Sequence, residues 1–180
     1  TIASTGDAAD FGDAVTTCNV ANGSCMASPT RGLFAGGYGQ PGTTQIDCNY
    51  ITFMTTGNQS DFGDSLATKY GNRAGSNAVR GVSGGGITSP AYIDVIEYYT
   101  IATLGNATDF GNLLAATSFI RGCSSSTRGV FGGGQAPSAQ NVMQFVTIAS
   151  TGNATDFGDL DDGTPHSCSV CSDAHGGLAQ

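Results

Sequence analysis

The sequence predicts an all-β protein, a single domain over residues 1–180 that repeats one four-stranded antiparallel unit about four times. Three observations carry this. Composition is the first: 28 of the 180 residues are Gly, and among 14 acidic and 6 basic residues there is a single Glu (Glu97) and a single Lys (Lys69). Long helices draw on Glu and Lys, whereas Gly, Asn, Asp, Ser and Thr are the residues of turns and strands. The second is the tripeptide Asp-Phe-Gly, found at residues 10–12, 61–63, 109–111 and 156–158, with spacings of 51, 48 and 47. The third is an Arg-Gly marker ahead of a small apolar and glycine run, at Arg31, Arg80 and Arg128, with His175-Gly176 in the fourth place. Its spacings of 49, 48 and 47 keep the same period, and two markers on one period define a repeat.

Each unit opens on a strand, RGVFGGG in the copy at Arg128–Gly134, whose glycines suit a strand pressed against neighbouring backbone. A Pro/Ser loop leads to a second strand, NVMQFVTIAST (Asn141–Thr151). Its end, followed by Gly-Asn and then ATDFGDL (Ala154–Leu160), predicts two strands joined by a tight hairpin with Gly-Asn at the tip. A Ser- and Cys-bearing segment supplies the fourth strand. Counted from Arg-Gly, the units cover approximately residues 31–79, 80–127 and 128–174, and a split unit combines 175–180 with 1–30.

A period of about 48 residues with four strands is that of β-propeller blades, helical solenoid repeats being mostly shorter and rich in Leu and Ala. The double glycines Gly36-Gly37, Gly84–Gly86 and Gly132–Gly134, the second-strand aromatics Tyr50, Tyr98 and Phe145, and the later aromatics Phe11, Phe62, Phe110 and Phe157 together resemble the kelch repeat. Kelch blades usually carry Trp on the third strand; this chain has none, and the Phe of Asp-Phe-Gly takes that place. The sequence is also similar, over nearly its whole length, to the TGNATDFGDL and RGVFGGG repeats of tail-fibre and other structural proteins of aquatic phages and large viruses. The resemblance implies a kelch-like β-propeller of about four blades. Thr1 aligns with Thr52, Thr100 and Thr147 inside a second strand, and His175–Gln180 aligns with a first strand, so one blade is split between the two ends. The missing Met at position 1 and this split blade are read as a processed or excerpted chain. Either one chain closes a small ring, or its open ends continue a larger array, which is the route to a filament.

Several sites of chemistry suggest themselves. Asp-Phe-Gly resembles the kinase magnesium motif, but it recurs every ~48 residues without a nucleotide loop, so Phe is assigned to packing and Asp-Gly to a turn. Arg31, Arg80 and Arg128 share one repeat position, and Arg73 and Arg121 another; repeated Arg among repeated Asp predicts one inter-strand pair per unit, with an anion-binding Arg ring as the alternative. His166, Cys168, Cys171 and His175 have a spacing that would hold zinc, against the plainer reading of small strand residues and a disulfide. Cys18 and Cys25 are close enough for a local disulfide, and Cys48, aligned with Ile96 and Met143, reads as a buried apolar stand-in. Asp159, Asp161 and Asp162 suggest a calcium turn, but the EF-hand pattern places Val170 where Glu is needed. Asn22, Asn58, Asn106 and Asn153 head N-x-[ST] sequons, and the last three share one repeat position; they read either as glycan carriers or as turn residues. Kelch-type oxidases bind copper through Tyr, His and Cys, a poor fit to a chain with two histidines near its end.

A formal charge of −8 with singly scattered basic residues disfavours nucleic acid and anionic membranes as partners, and no apolar run reaches the ~18 residues of a membrane span. No catalytic constellation and no cofactor motif emerges. The expected function is a non-enzymatic structural subunit of an extracellular fibre, filament or virion surface that associates with copies of itself. The alternative is an adhesin whose loops at Tyr38–Gln45, Gly86–Tyr92 and Gln135–Gln140, the most variable among the copies, touch surface glycans.

Overall fold

The structure, a computed structural model, describes residues 5–15, 18–19, 23–39 and 43–161. Those residues form strands and no helix. The first group is β1 (Cys18–Asn19), β2 (Ser24–Ala27), β3 (Arg31–Ala35), β4 (Tyr38–Gly39), β5 (Thr43–Thr44), β6 (Asp47–Thr52) and β7 (Ser60–Asp64). The second is β8 (Arg73–Ser76), β9 (Arg80–Gly84), β10 (Ile87–Thr88), β11 (Ala91–Tyr92), β12 (Val95–Thr100) and β13 (Thr108–Asn112). The third is β14 (Arg121–Ser124), β15 (Arg128–Gly132), β16 (Val142–Thr147) and β17 (Thr155–Asp159).

Three antiparallel sheets of four strands result, ordered β2-β3-β6-β7, β8-β9-β12-β13 and β14-β15-β16-β17. All-β architecture and the four-stranded antiparallel unit therefore stand as expected. The phase of the unit differs. The Ser/Cys segment pairs with the Arg-Gly strand that follows it, as in Arg73↔Gly84 and Arg121↔Gly132, so the sheets span residues 24–64, 73–112 and 121–159, and units counted from Arg-Gly divide each sheet after its first strand. Among the described residues no strand joins the first large sheet to the last.

Asp-Phe-Gly is a β-bulge. Cys48 faces Gly63 while the next residue, Asn49, faces Asp61, which leaves Phe62 as the extra residue; the same step passes over Phe110 between Ile96 and Glu97, and over Phe157 between Met143 and Gln144. At Asp61 and Asp156 the carboxylate caps the bulge by accepting from the Gly N–H two residues on, and Asp10 accepts from Gly12 N–H in the same way outside any strand. The bulge aims Phe out of the ladder. Each Phe meets the second-strand aromatic edge-on, with ring centroids 6.0 Å apart for Tyr50–Phe62, Tyr98–Phe110 and Phe145–Phe157.

Two cores fill the spaces between successive sheets. Met26, Leu33, Cys48, Phe62, Tyr99 and Ile101 form one, and Val82, Ile96, Phe110, Phe131, Val146 and Ile148 form the other. The second sheet is thus buried on both faces: along β12, Ile96 and Tyr98 point to one core and Glu97 and Tyr99 to the other, by the two-residue period of a strand. Cys48 is fully buried, as its alignment with Ile96 and Met143 predicts. Burial, and then the nearby carboxylates of Glu97, Asp61 and Asp64, push its thiol well above the ordinary range. The thiol stays neutral in the fold and titrates freely in the unfolded chain, so its contribution to stability is complete below about pH 9 and falls as pH rises past that value. In alkylation followed by mass spectrometry, exposed Cys25 is expected to react in the native protein and Cys48 only once denaturant opens the core.

Candidate functional site

The side chains that repeat with the period converge on the joints between units. The expected tight hairpin is not formed: seven residues separate β16 from β17, a turn is closed by the Ser150 N–H on Thr147 O, and Gly152-Asn153 lie beyond it. There they reach the preceding sheet. Gly152 N–H donates to Phe110 O (2.7 Å), Asn112 N–H donates to Asn153 Oδ1 (3.0 Å), and Ala154 N–H donates to Asn112 O (2.8 Å). Gly105, Asn106 and Ala107 repeat this on Phe62 and Asp64 at 2.9, 3.0 and 2.7 Å. Gly57, Asn58 and Gln59 repeat it on Phe11 and Asp13 at 2.8, 2.9 and 2.9 Å. The outward edges at Phe11, Phe62 and Phe110 are thereby occupied by the Gly-Asn turn of the next unit.

This contact explains the Gly of Asp-Phe-Gly. A Cβ on Gly63 would stand 2.6 Å from the Gly105 carbonyl, and one on Gly12 or Gly111 would overlap the carbonyl of Gly57 or Gly152. No side chain is compatible with so close an approach of two backbones.

Arg completes the joint, and not through Asp as the sequence suggests. Arg31 lies over the Tyr50 ring and donates to Ile101 O (3.1 Å) and Ala102 O (3.0 Å) of the next unit. Arg80 lies over Tyr98 and donates to Ile148 O (3.3 Å) and Ala149 O (2.9 Å). Carbonyls just past the end of a neighbouring strand compete successfully because one guanidinium nitrogen, Nη1, donates to two of them while the group is stacked on a ring. Arg128 stacks on Phe145 in the same way but is exposed. Arg80→Ala should therefore lower thermal stability by about 1–2 kcal/mol, and Arg128→Ala by clearly less, as read by circular dichroism melts of both variants.

A hydroxyl ladder links the first strands. Ser76 Oγ donates to Ala27 O (2.9 Å) and accepts from Ala27 N–H, and Ser124 Oγ donates to Ser76 O (2.7 Å) and accepts from Ser76 N–H. The sequence offers one signal for it, the 48-residue spacing of two serines, and nothing to set them apart from the other serines.

The segment between β7 and β8 is tied to the second sheet by a buried ion pair between the chain's only Lys and only Glu. Lys69 Nζ lies 2.7 Å from Glu97 Oε1, and both side chains are essentially inaccessible. Glu97 also accepts from Tyr99 Oη–H (2.9 Å) and Leu66 N–H (2.9 Å), and the Tyr99 hydroxyl meets Ser65 Oγ at 2.8 Å. Burial lowers the ammonium pKa, with the Glu97 charge opposing, and raises that of the Tyr99 phenol. At the following joint Gln144 Oε1 accepts from Leu114 N–H at 2.7 Å, so an acceptor at this repeat position is part of the joint and the charge is peculiar to one copy.

One joint surface is bare among the described residues. Phe157, 52% exposed, contrasts with Phe62 at 3% and Phe110 at 2%, and a Cβ on Gly158 would meet nothing within 4 Å. At the opposite end Gly6-Asp7-Ala8 stands where the other units have Gly-Asn-(Gln/Ala), is exposed, and Gly6 too has nothing within 4 Å of a Cβ.

The remaining candidates fall as follows. Asn58, Asn106 and Asn153 are exposed and spend Oδ1 on the joint; Asn22 lies outside the described residues. So do His166, Cys168, Cys171 and His175, and Asp162 of the acidic turn. Cys25 is a free thiol where a bond to Cys18 was expected: β1 pairs with β4 and β2 with β3, which puts the two residues in different sheets. In the variable loops, Tyr38 of the first meets Tyr70 edge-on, Ile87 of the second pairs with Tyr70, and Gln135 of the third pairs with Ser118, next to Phe119, which also meets Tyr70 edge-on. No helix among the described residues is long and apolar enough to cross a membrane. Compared with protein-family models and with curated proteins, the chain matches none.

Proposed function

We propose that this chain is a non-enzymatic structural repeat segment of an extracellular fibre, filament or virion-surface assembly, in which the four-stranded sheets serve as propeller-like blades of kelch type and the chain associates with copies of itself. One observation carries the reading: the contact of a Gly-Asn turn with an Asp-Phe-Gly segment recurs at three successive joints with the same hydrogen bonds. The repeated polar groups are engaged in holding unit to unit, which is what a stacking element requires. Negative-stain microscopy of the native material tests it. Elongated or ring-stacked particles are expected, and a population of small monodisperse particles alone overturns the reading.

A second reading, a glycan-binding adhesin, is favoured by the aromatic row Tyr38, Tyr70 and Phe119, in which Tyr38 belongs to a variable loop and is exposed, since an exposed aromatic ring is suited to a sugar face. A glycan-array screen separates it from the first: binding abolished by Tyr38→Ala supports it, and no binding to any sugar removes it.

A further inference from the structure

We propose that Asn58, Asn106 and Asn153 carry N-linked glycans, displayed in a row with one at each of three successive joints. The inference rests on the extracellular placement in the reading above and adds a modification site to it. All three head an N-x-[ST] sequon, with Gln59, Ala107 and Ala154 in the middle and Ser60, Thr108 and Thr155 supplying the hydroxyl.

The joint accounts for only part of this motif. Each Asn places Oδ1 on a backbone N–H, that of Asp13, Asp64 or Asn112, at 2.9, 3.0 and 3.0 Å. An acceptor is all that contact asks for, and a carboxylate accepts as an amide oxygen does. Asn nevertheless stands at all three places, and its Nδ2 makes no hydrogen bond to the described residues. The hydroxyls of Ser60, Thr108 and Thr155 make none among them either. The amide nitrogen and the hydroxyl two residues on are the groups that define a glycan acceptor, and both residues are exposed in each copy. The two also vary together: where Asp7 stands in place of Asn, Ala9 stands in place of Ser or Thr. Asn153 and Thr155 further line one groove with Phe145, Ser150 and Thr151, so this acceptor amide has open space beside it.

In the transfer, Nδ2 displaces pyrophosphate from the anomeric carbon of a lipid-linked sugar. The C–N bond forms, the C–O bond to pyrophosphate breaks, and Nδ2 gives up one proton. The product is still an amide whose Oδ1 accepts, so the hydrogen bond of the joint persists beneath the sugar. Because the three residues lie on the surface, the folded units carry a bulky glycan without parting.

Mass spectrometry of the native material tests the assignment. Cleavage after Lys and Arg puts the three Asn on separate peptides, 32–69, 81–121 and 129–180. Release by peptide-N-glycosidase in heavy-oxygen water is expected to convert Asn58, Asn106 and Asn153 to labelled Asp, and unlabelled Asn at all three positions overturns the proposal. Secretion of variants from eukaryotic cells is the second arm. Thr108→Val removes the hydroxyl and keeps the β-branch; it should abolish the glycan on Asn106 while circular dichroism shows the protein folded, and Thr108→Ser should keep the glycan. Asn106→Asp retains an acceptor for the joint and should lose the glycan. A Thr108→Val chain that still carries sugar on its 81–121 peptide overturns the assignment to Asn106. Filaments whose three Asn are unlabelled leave the fibre reading standing and remove this proposal; labelled Asp on material that forms only small monodisperse particles does the reverse.

Discussion

Glu97→Ala is expected to cost about 3–5 kcal/mol of folding stability, the largest single effect in the molecule, because it strands the buried Lys69 ammonium without a counter-charge. The loss is compounded at Leu66 N–H and the Tyr99 hydroxyl, which also lose their acceptor. The neighbouring joint indicates how the charge can be dispensed with: Gln144 stands at the repeat position of Glu97, and buried Thr117 at that of Lys69. Lys69→Thr combined with Glu97→Gln copies that arrangement. Chemical denaturation of the two singles and the double should give a coupling of about 1–3 kcal/mol, with the double less destabilised than Lys69→Thr and Glu97→Gln added together. Additive losses would mean that the two residues are not acting as a pair.

Gly63→Ala comes second, at about 3–5 kcal/mol, and its value lies in a comparison within the same chain. Gly63 and Gly158 occupy the same bulge position at φ 144° and 134°, so a Cβ is strained at both. Only at Gly63 does that Cβ also stand 2.6 Å from a carbonyl of the next unit. Gly158→Ala should cost only the strain, about 1–2 kcal/mol. The difference between the two melts measures how tightly one unit is seated on the next, and equal losses would show that the joint yields to a methyl group at no cost.

The repeat was legible because it is a property of sequence spacing: Asp-Phe-Gly and Arg-Gly return every ~48 residues, and strand-forming residues between them leave room for four strands. What the markers do was not legible. Asn153 next to Gly152 has the chemistry of a hairpin tip, and only the seven-residue separation of β16 and β17 shows that it lies past the turn. Arg80 beside many Asp suggests an ion pair, but its partners are carbonyls 68 and 69 residues away, atoms that carry no residue-type signature. The phase of the unit was hidden for a related reason: whether a Ser/Cys strand pairs backward or forward depends on sheet topology, and both choices obey the same period. Lys69 and Glu97 were visible as the sole members of their types. Their pairing across 28 positions had no signal, because neither falls under the repeat's own markers.

The sealing of Lys69 between two sheets has a practical corollary for anyone handling the protein. It is the only lysine in the chain, and it is 1% exposed. Proteases that cut after lysine, and acylating reagents that seek the ε-amine, find no such target on the folded surface. Modification of Lys69 requires the first joint to open, so the slow appearance of an acylated Lys69 peptide is a clock for that opening. A chain of this length with a single silent lysine thus carries its own reporter of how often neighbouring units part.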